Sequence, residues 1–165
     1  MKKVALIMGS ASDFTALKPC VKTLKDFGVE ATVTVCSAHR TPDKAADFAK
    51  SAVKNGYGVI IAAAGKAAHL AGILAAHTVL PVIGIPMKSS TLDGLDSLLS
   101  TVQMPSGVPV ATVAVDGAEN AALLAIQILA LSDEKLCEKL LAHKKKLAEK
   151  VAAADADVQL QIKDI

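Results

Sequence analysis

The stretch VALIMGSASD at residues 4–13 joins a short apolar run to a turn rich in glycine and hydroxyl side chains. Five apolar residues that stop at a glycine are typical of a strand buried on both faces. Apolar side chains then recur at helical spacing from Phe14 to Phe27, and Gly28 follows as a stop signal. The start of the chain therefore predicts a buried strand, a turn and an amphipathic helix.

The same alternation of strand and helix repeats along the chain. Strands are predicted at residues 4–8, 31–36, 58–62, 81–85 and 108–115, and helices at residues 14–27, 42–55, 67–77, 92–100, 118–131 and 133–154. Because strands that alternate with helices pair in parallel through right-handed crossovers, we expect a three-layer αβα sandwich. The predicted fold class is α/β, with a flavodoxin-like parallel five-stranded sheet and an extra C-terminal helix.

Length and composition favour one compact domain. The chain has 165 residues, of which 52% are hydrophobic and only 2% aromatic, so small aliphatic side chains must form the core. We expect a single domain over residues 1–165, with the flavodoxin-like core at 1–131 and a charged helix and tail at 132–165. The mixed polarity of residues 155–165 suits either a frayed tail or a strap over another chain.

Charge and cysteine content limit the partners and the compartment. Eighteen basic and sixteen acidic side chains give a net charge of +2, which offers no strong field to nucleic acid or to an anionic membrane. Three cysteines without CxxC or Cys/His spacing argue against a disulfide framework and against a structural zinc site. No apolar run is long enough for a signal peptide or a spanning helix, so we expect a cytoplasmic protein.

The chemically active residue types follow the predicted strands. In an open parallel sheet, ligands bind beyond the carboxyl ends of the strands. The segments after the first four strands are residues 9–13, 37–42, 64–69 and 86–90, which bring hydroxyls, two histidines, an arginine, two lysines and an aspartate to one rim.

Phosphate is the ligand that the first two segments favour. Ser10 and Ser12 precede a helix whose first amides are unpaired and whose dipole is positive at that end. The alternative is that Ser12 or Asp13 only caps the helix, which is common. Arg40, the one arginine in the chain, could hold a phosphate through two hydrogen bonds from the neighbouring segment.

Two histidines on this rim could take part in chemistry. His39 lies between Ser37 and Arg40 at a strand end, where a group that titrates near neutrality could move a proton to or from a substrate. His69 follows Gly65, a residue that lets the backbone approach a ligand. A substrate contact and a plain packing role remain equally open for His69, whereas His77 and His143 fit packing roles.

At these residues the sequence resembles the family of purine-biosynthesis enzymes that make 4-carboxy-5-aminoimidazole ribonucleotide. The resemblance runs from Val4 to about Leu131. It rests on several motifs in the expected order: MGSASD at residues 8–13, SAHRTP at 37–42, AAHL at 67–70, LPVIG at 80–84, and DSLLS at 96–100 followed by QMP at 103–105.

The resemblance implies a function for each matched position. Ser10, Ser12 and Arg40 would hold the 5′-phosphate of aminoimidazole ribonucleotide, Asp13 the ribose hydroxyls, and His39 would be the proton shuttle at the imidazole carbon. It further implies a homo-octamer whose sites are completed by neighbouring subunits, with no metal, biotin or flavin. The remaining residues that we expect to contact substrate are Ser37, Gly65, Lys66 and His69.

The family has two branches, and the segment after the third strand matches neither throughout. The mutase branch, which moves a carboxyl group within N5-carboxyaminoimidazole ribonucleotide, typically reads GGAAHLPGM where this chain has GKAAHLAGI at residues 65–73. A basic residue at the position of Lys66 resembles the branch that adds carbon dioxide directly, although the animal carboxylases lack the His-Leu pair.

From Lys66 we expect the direct carboxylase, with the ammonium or the backbone near Gly65 stabilising the developing carboxylate. The mutase is the alternative. A third interpretation is a non-catalytic module that senses a sugar phosphate through Arg40 and the serine turn, which we define as residues 9–13.

Overall fold

The computed structural model describes residues 2–163 and has the predicted α/β architecture. Its strands are β1 (Lys3–Met8), β2 (Ala31–Val35), β3 (Tyr57–Gly65), β4 (Val82–Met87) and β5 (Ala111–Thr112). Its helices are α1 (Phe14–Asp26), α2 (Pro42–Ser51), α3 (Leu70–Ala76), α4 (Leu95–Val102), α5 (Ala118–Ala130) and α6 (Glu134–Ile162), with a 3₁₀ turn at Ala11–Asp13 before α1. All strand pairings are parallel, in the order β2-β1-β3-β4-β5. The flavodoxin-like fold class is confirmed.

Alternate side chains of the strands enter two separate cores, one on each face of the sheet. On one face Leu6 and Ile61 pack with buried residues of α1 and α5, such as Leu24 and Ile126. On the other face Ile7 and Ile60 pack with buried residues of α2 and α3. This period of two along each strand produces the three layers that the sequence predicts.

Small residues let the helices approach the sheet closely. Gly84 of β4 has no Cβ, and a Cβ built there would collide with the Thr101 side chain of α4. Thr101 is buried, and its hydroxyl donates to the Ser97 carbonyl oxygen at 2.7 Å, so it has little room to move. A side chain at position 84 would therefore push α4 away from the sheet.

The fifth strand is much shorter than predicted. The sequence predicts a strand over residues 108–115, but the ladder to β4 holds only Ala111 and Thr112. Pro109 lacks a backbone donor, and the chain turns at Val115 and Asp116. The apolar, β-branched composition of this segment therefore predicts more residues paired with β4 than the structure contains.

Two helices begin later than the sequence predicts. The third helix begins at Leu70 rather than at Ala67, and the fourth at Leu95 rather than at Leu92. Ala67 lines the cavity described below, whereas Leu92 belongs to a turn in which Asp93 and Gly94 have positive φ.

The last helix is longer than predicted and mostly exposed. α6 continues past Ala154 to Ile162, so residues 155–162 form regular helix rather than a frayed tail. Side-chain hydrogen bonds one turn apart support this region, from Gln159 to Asp155 and from Gln161 to Asp157, each at 3.5 Å. Leu136 is the buried residue of α6, and it joins the core beneath α1 and α5. Positions 164 and 165 lie outside the described residues.

Within residues 2–163, no helix has the combination of length and apolar character that a membrane span requires.

We expect Leu136→Ala to destabilise the fold by about 2–5 kcal/mol, because it leaves a cavity where α6 joins the core. Leu141→Ala is the matched control, since the Leu141 side chain is 64% exposed and should cost less than about 0.5 kcal/mol. Urea unfolding of both variants measures the two free energies. Equal losses would contradict Leu136 as the residue that anchors α6.

Candidate functional site

A cavity of about 530 Å³ opens at the carboxyl ends of β1 to β4. The segments that follow these four strands supply its walls. Eight of the nine predicted site residues line it: Ser10, Ser12, Asp13, Ser37, His39, Arg40, Gly65 and Lys66. The ninth, His69, contacts the ring of His39. The structure therefore brings all nine residues to one edge of the sheet.

The serine turn after β1 is held together by its own side chains. The hydroxyls of Ser10 and Ser12 lie 2.8 Å apart, and the Ser12 amide donates to Ser10 Oγ at 3.3 Å. Ser10 is therefore the residue that caps the 3₁₀ turn, whereas Asp13 makes no side-chain cap to α1. Asp13 occupies the N-cap position of α1 without a capping side-chain hydrogen bond, so neither Ser12 nor Asp13 caps α1 through its side chain. Ser12 Oγ instead donates to Asp13 Oδ1 at 3.3 Å.

Asp13 is a partly buried carboxylate on the cavity wall. Burial raises its pKa above the usual value, because the charged form loses hydration. The hydrogen bond from Ser12 opposes this rise, and the nearby carboxylate of Asp116 adds to it. A hydroxyl of a bound ligand could donate to this carboxylate and replace part of the lost hydration.

Arg40 reaches across from the segment after β2 to the serine turn. Its Nη2 donates to the Gly9 carbonyl oxygen at 3.0 Å, and its Nε donates to Ser37 Oγ at 3.4 Å. Among the described carboxylates, none lies within ion-pairing distance of the guanidinium. The guanidinium therefore points to the serine turn, and the groups that accept its hydrogen bonds there are neutral.

A compact turn presents His39 and Arg40 to the cavity. The Thr41 hydroxyl donates to the Ser37 carbonyl oxygen at 2.9 Å and accepts from the Ser37 amide at 3.0 Å. The Arg40 amide donates to Ser37 Oγ at 3.2 Å. These bonds close the loop between β2 and α2, so the two functional candidates lie on a rigid support.

His39 and His69 form a direct pair between two loops. His39 Nε2 lies 2.8 Å from His69 Nδ1, and the two rings are nearly perpendicular. One proton is shared between these nitrogens, so the Nδ1 atom of His39 remains free to exchange a proton with a ligand. His69 is therefore a residue that orients His39 rather than one that lines the cavity.

The unusual backbone after β3 occurs at Lys66. This residue has φ of 57°, in the left-handed region, whereas Gly65 does not adopt a positive φ. A lysine in this conformation costs about 1 kcal/mol relative to glycine. Ser100 of α4 supports the turn by donating to the Lys66 carbonyl oxygen at 3.4 Å.

The end of β4 and the segment after it contribute more residues to the cavity wall than the sequence indicates. Met87, Lys88, Ser89 and Ser90 also line the cavity, although only their place at a strand end pointed to them. The Lys88 amide donates to Asp116 Oδ1 at 2.9 Å. Nothing in the local pattern around Asp116 indicates this contact, because the two residues are 28 positions apart.

The cysteines and the other two histidines do not line the cavity. Cys20 and Cys36 are buried, and burial raises the pKa of the Cys20 thiol to about 12, so it is a poor nucleophile at neutral pH. His77 caps the end of α3, and His143 packs edge-on against Phe27. In the part of the chain that the structure describes, no group of three or more His, Cys, Asp or Glu side chains is arranged to hold a metal ion.

Comparison with known proteins identifies the family of the chain. A family model described as AIR carboxylase matches residues 3–150. The N5-carboxyaminoimidazole ribonucleotide mutase of Pyrococcus horikoshii is 56% identical over 148 residues, which cover 90% of this chain and 84% of that protein. The mutase of Mycobacterium leprae is 52% identical over 157 residues, covering 95% and 92% of the two chains.

A solved structure shares the fold over nearly its whole length. The crystal structure of Treponema denticola PurE superposes with a TM-score of 0.85 at 28% identity, and the match covers 93% of this chain and 96% of that one. Together with the match of the family model, these likenesses confirm the family resemblance found in the sequence. The chain belongs to the AIR carboxylase family of purine biosynthesis.

Proposed function

We propose that the protein is a mutase that moves the carboxyl group of N5-carboxyaminoimidazole ribonucleotide from N5 to C4 of the imidazole ring. One observation carries the proposal: His39 lines the same cavity as Ser10, Ser12 and Arg40, so a proton-transfer group and an anion-binding group can act on one nucleotide. The names of relatives that are 56% and 52% identical support the mutase over the direct carboxylase that Lys66 favours in the sequence.

The nucleotide would be held at its phosphate end. Ser10 and Ser12 offer hydroxyl donors, and Arg40 adds a positive charge that no described carboxylate neutralises. Asp13 would accept from the ribose hydroxyls, and Ser37 would keep the guanidinium in place. Gly65, Lys66 and His39 would then face the base, with His69 holding the His39 ring.

Atom balance defines what the protein must do. In the rearrangement N5 loses a carboxyl group and gains a hydrogen, while C4 gains the carboxyl group and loses a hydrogen. A single group that donates a proton to N5 as its carboxyl bond breaks, and later accepts the proton that C4 loses, is therefore sufficient, and His39 Nδ1 is free to do so. The cavity must also orient the reacting groups and retain carbon dioxide between bond cleavage and bond formation.

Direct carboxylation is the second candidate, and Lys66 is the observation that favours it. The mutases typically have glycine at this position, which suits the left-handed backbone, whereas this chain places a strained lysine on the cavity wall. An ammonium group there could stabilise a carboxylate as it forms at C4. The C4 step and the role of His39 are the same in both reactions.

A module that senses a sugar phosphate without catalysis is the third candidate. It would use the same serine turn and Arg40, but it would not need a proton shuttle. The His39 ring, which lines the cavity and is paired with His69 of a second loop, supports an enzyme instead.

We also propose that the chain acts as a homo-oligomer, an octamer by family resemblance. Leu95, Leu99 and Val102 of α4 are each about half exposed, and they lie on the helix that supports the Lys66 turn. An exposed apolar face of this kind is typical of a subunit interface. Neighbouring subunits would then complete each cavity.

We expect freshly made N5-carboxyaminoimidazole ribonucleotide to be converted efficiently without ATP, and aminoimidazole ribonucleotide with bicarbonate to react poorly. Ultraviolet absorbance of the imidazole follows both reactions. Efficient use of dissolved carbon dioxide would instead establish the direct carboxylase. Tight binding of the nucleotide without any reaction would establish the non-catalytic module.

We expect His39→Asn to lower kcat by about a hundredfold to ten-thousandfold, because the proton shuttle is lost. Nucleotide affinity, measured by titration calorimetry, should change little, since the phosphate-binding residues are retained. His77→Asn is the matched control, because His77 lies at the end of α3 away from the cavity, and it should retain full activity. Retained turnover in the His39 variant would exclude the histidine as the shuttle.

Lys66→Gly and Lys66→Ala separate the charge of this residue from its backbone strain. Both remove the ammonium, but only glycine relieves the left-handed conformation, so Lys66→Gly should be about 1 kcal/mol more stable than Lys66→Ala in urea unfolding. If Lys66 stabilises the carboxylate, both variants should lose turnover to the same extent. Unchanged turnover and carbon dioxide dependence in both would remove Lys66 from the mechanism.

A further inference from the structure

The chain beyond β5 stays beside β4 without forming a regular strand. The Val113 amide donates to the Gly84 carbonyl oxygen at 3.1 Å, and the Asp116 amide donates to the Pro86 carbonyl oxygen at 2.9 Å. The next donor along β4 is the Lys88 amide, and the Asp116 side chain accepts from it at 2.9 Å. A carboxylate oxygen therefore takes the position that a backbone carbonyl would occupy if the ladder continued.

Asp116 can reach this donor because its backbone is left-handed, with φ of 55°. Aspartate and asparagine tolerate this region better than most other side chains, and glycine tolerates it best. The turn is closed by a hydrogen bond from the Gly117 amide to the Ala114 carbonyl oxygen at 2.9 Å. It leads directly into α5, so the carboxylate is fixed to a rigid element.

The donor that Asp116 holds belongs to the cavity wall. Lys88, Ser89 and Ser90 all line the cavity, and their segment leaves the sheet at Met87. The Lys88 ammonium pairs with Asp93 at 3.4 Å, but both side chains are mostly exposed, so this ion pair fixes the segment only weakly. The backbone bond to Asp116 restrains the start of the segment more directly.

The far side of the segment has its own anchor. Ser89 is buried, and its hydroxyl donates to Asp96 Oδ1 of α4 at 2.8 Å while it accepts from the Leu92 amide at 3.4 Å. Two carboxylates, one from the turn before α5 and one from α4, thus hold the wall at neighbouring residues. Loss of one anchor should loosen the wall without unfolding it.

We propose that Asp116 is a positioning residue of the catalytic site: through the Lys88 backbone it sets the wall formed by Lys88, Ser89 and Ser90 against the bound nucleotide. The inference rests on the proposed function, because that function supplies the ligand. Asp116 acts as a hydrogen-bond acceptor, not as an acid or base. The asparagine side chain, which offers the same acceptor without the charge, should therefore replace it.

Three variants test this role. Asp116→Asn keeps both the acceptor and a side chain that accepts the left-handed backbone, whereas Asp116→Gly keeps the backbone and removes the acceptor. Asp93→Gly is the matched control, because Asp93 is also left-handed, lies between β4 and α4, and among residues 2–163 its side chain bonds only to the Lys88 side chain. None of the three substitutions introduces backbone strain, so all should fold.

The kinetic readout is the split between KM and kcat with N5-carboxyaminoimidazole ribonucleotide. We expect Asp116→Gly to raise KM by about fivefold, the usual effect of one hydrogen bond, with little change in kcat. Asp116→Asn and Asp93→Gly should stay within about twofold of the wild type. An unchanged KM in Asp116→Gly, or an equal rise in Asp116→Asn, would overturn the inference.

Amide hydrogen exchange of the ligand-free protein provides a readout that does not depend on the reaction. The Lys88 amide should exchange faster in Asp116→Gly than in the wild type, and it should remain protected in the other two variants. Equal protection of this amide in all variants would overturn the inference even if the enzyme is active. If the Lys88 amide exchanges faster in Asp116→Gly but the wild-type protein itself shows no turnover, the proposed function is rejected, while the hydrogen bond from Lys88 to Asp116 still restrains the wall.

Discussion

Parallel pairing of β1 with β2 on one side and β3 on the other determines where the cavity lies. The register aligns Met8 with Val35 and with Ala63, so β1 and β2 end level with each other. β3 continues two residues further, to Gly65, where it ends level with Met87 of β4. Segments that are distant in sequence therefore leave the sheet at one edge. A shift of one residue would exchange the side chains that enter the two cores, so the packing of both cores maintains the register and with it the site.

This constraint explains why much of the site can be predicted from sequence. The strands β1 to β4 are short stretches rich in apolar or β-branched residues, and the residues after them must meet at one edge. Contacts between segments are different. The His39–His69 pair joins residues 30 positions apart, and the Asp116–Lys88 bond joins residues 28 apart, so neither follows from a local pattern. The failure at β5 has the same origin, since a β-branched composition does not reveal where a chain turns away from its neighbour.

Two indications of the reaction disagree at Lys66. Its charge favours one branch of the family, and the relatives' names favour the other. The left-handed backbone is a physical reason to expect a function for the Lys66 side chain, because a lysine there is less stable than the glycine typical of mutases. Strain of this kind at a cavity wall is consistent with a side chain that is retained for function, whichever carboxyl donor is used.

The exposed length of α6 affects how a single chain would lose its structure. The helix has 29 residues, yet its buried residue is Leu136 near its start, and its contacts with Phe27 come from Lys139 and His143. The helix residues after His143 are all exposed, so the later turns gain little from the rest of the molecule. Their hydrogen bonds can open without disturbing the sheet, and the ends of such helices melt gradually. Heating an isolated protomer should therefore decrease helical circular dichroism before the central layer gives way, and all-or-none unfolding would describe the sheet and its flanking helices better than the molecule as a whole.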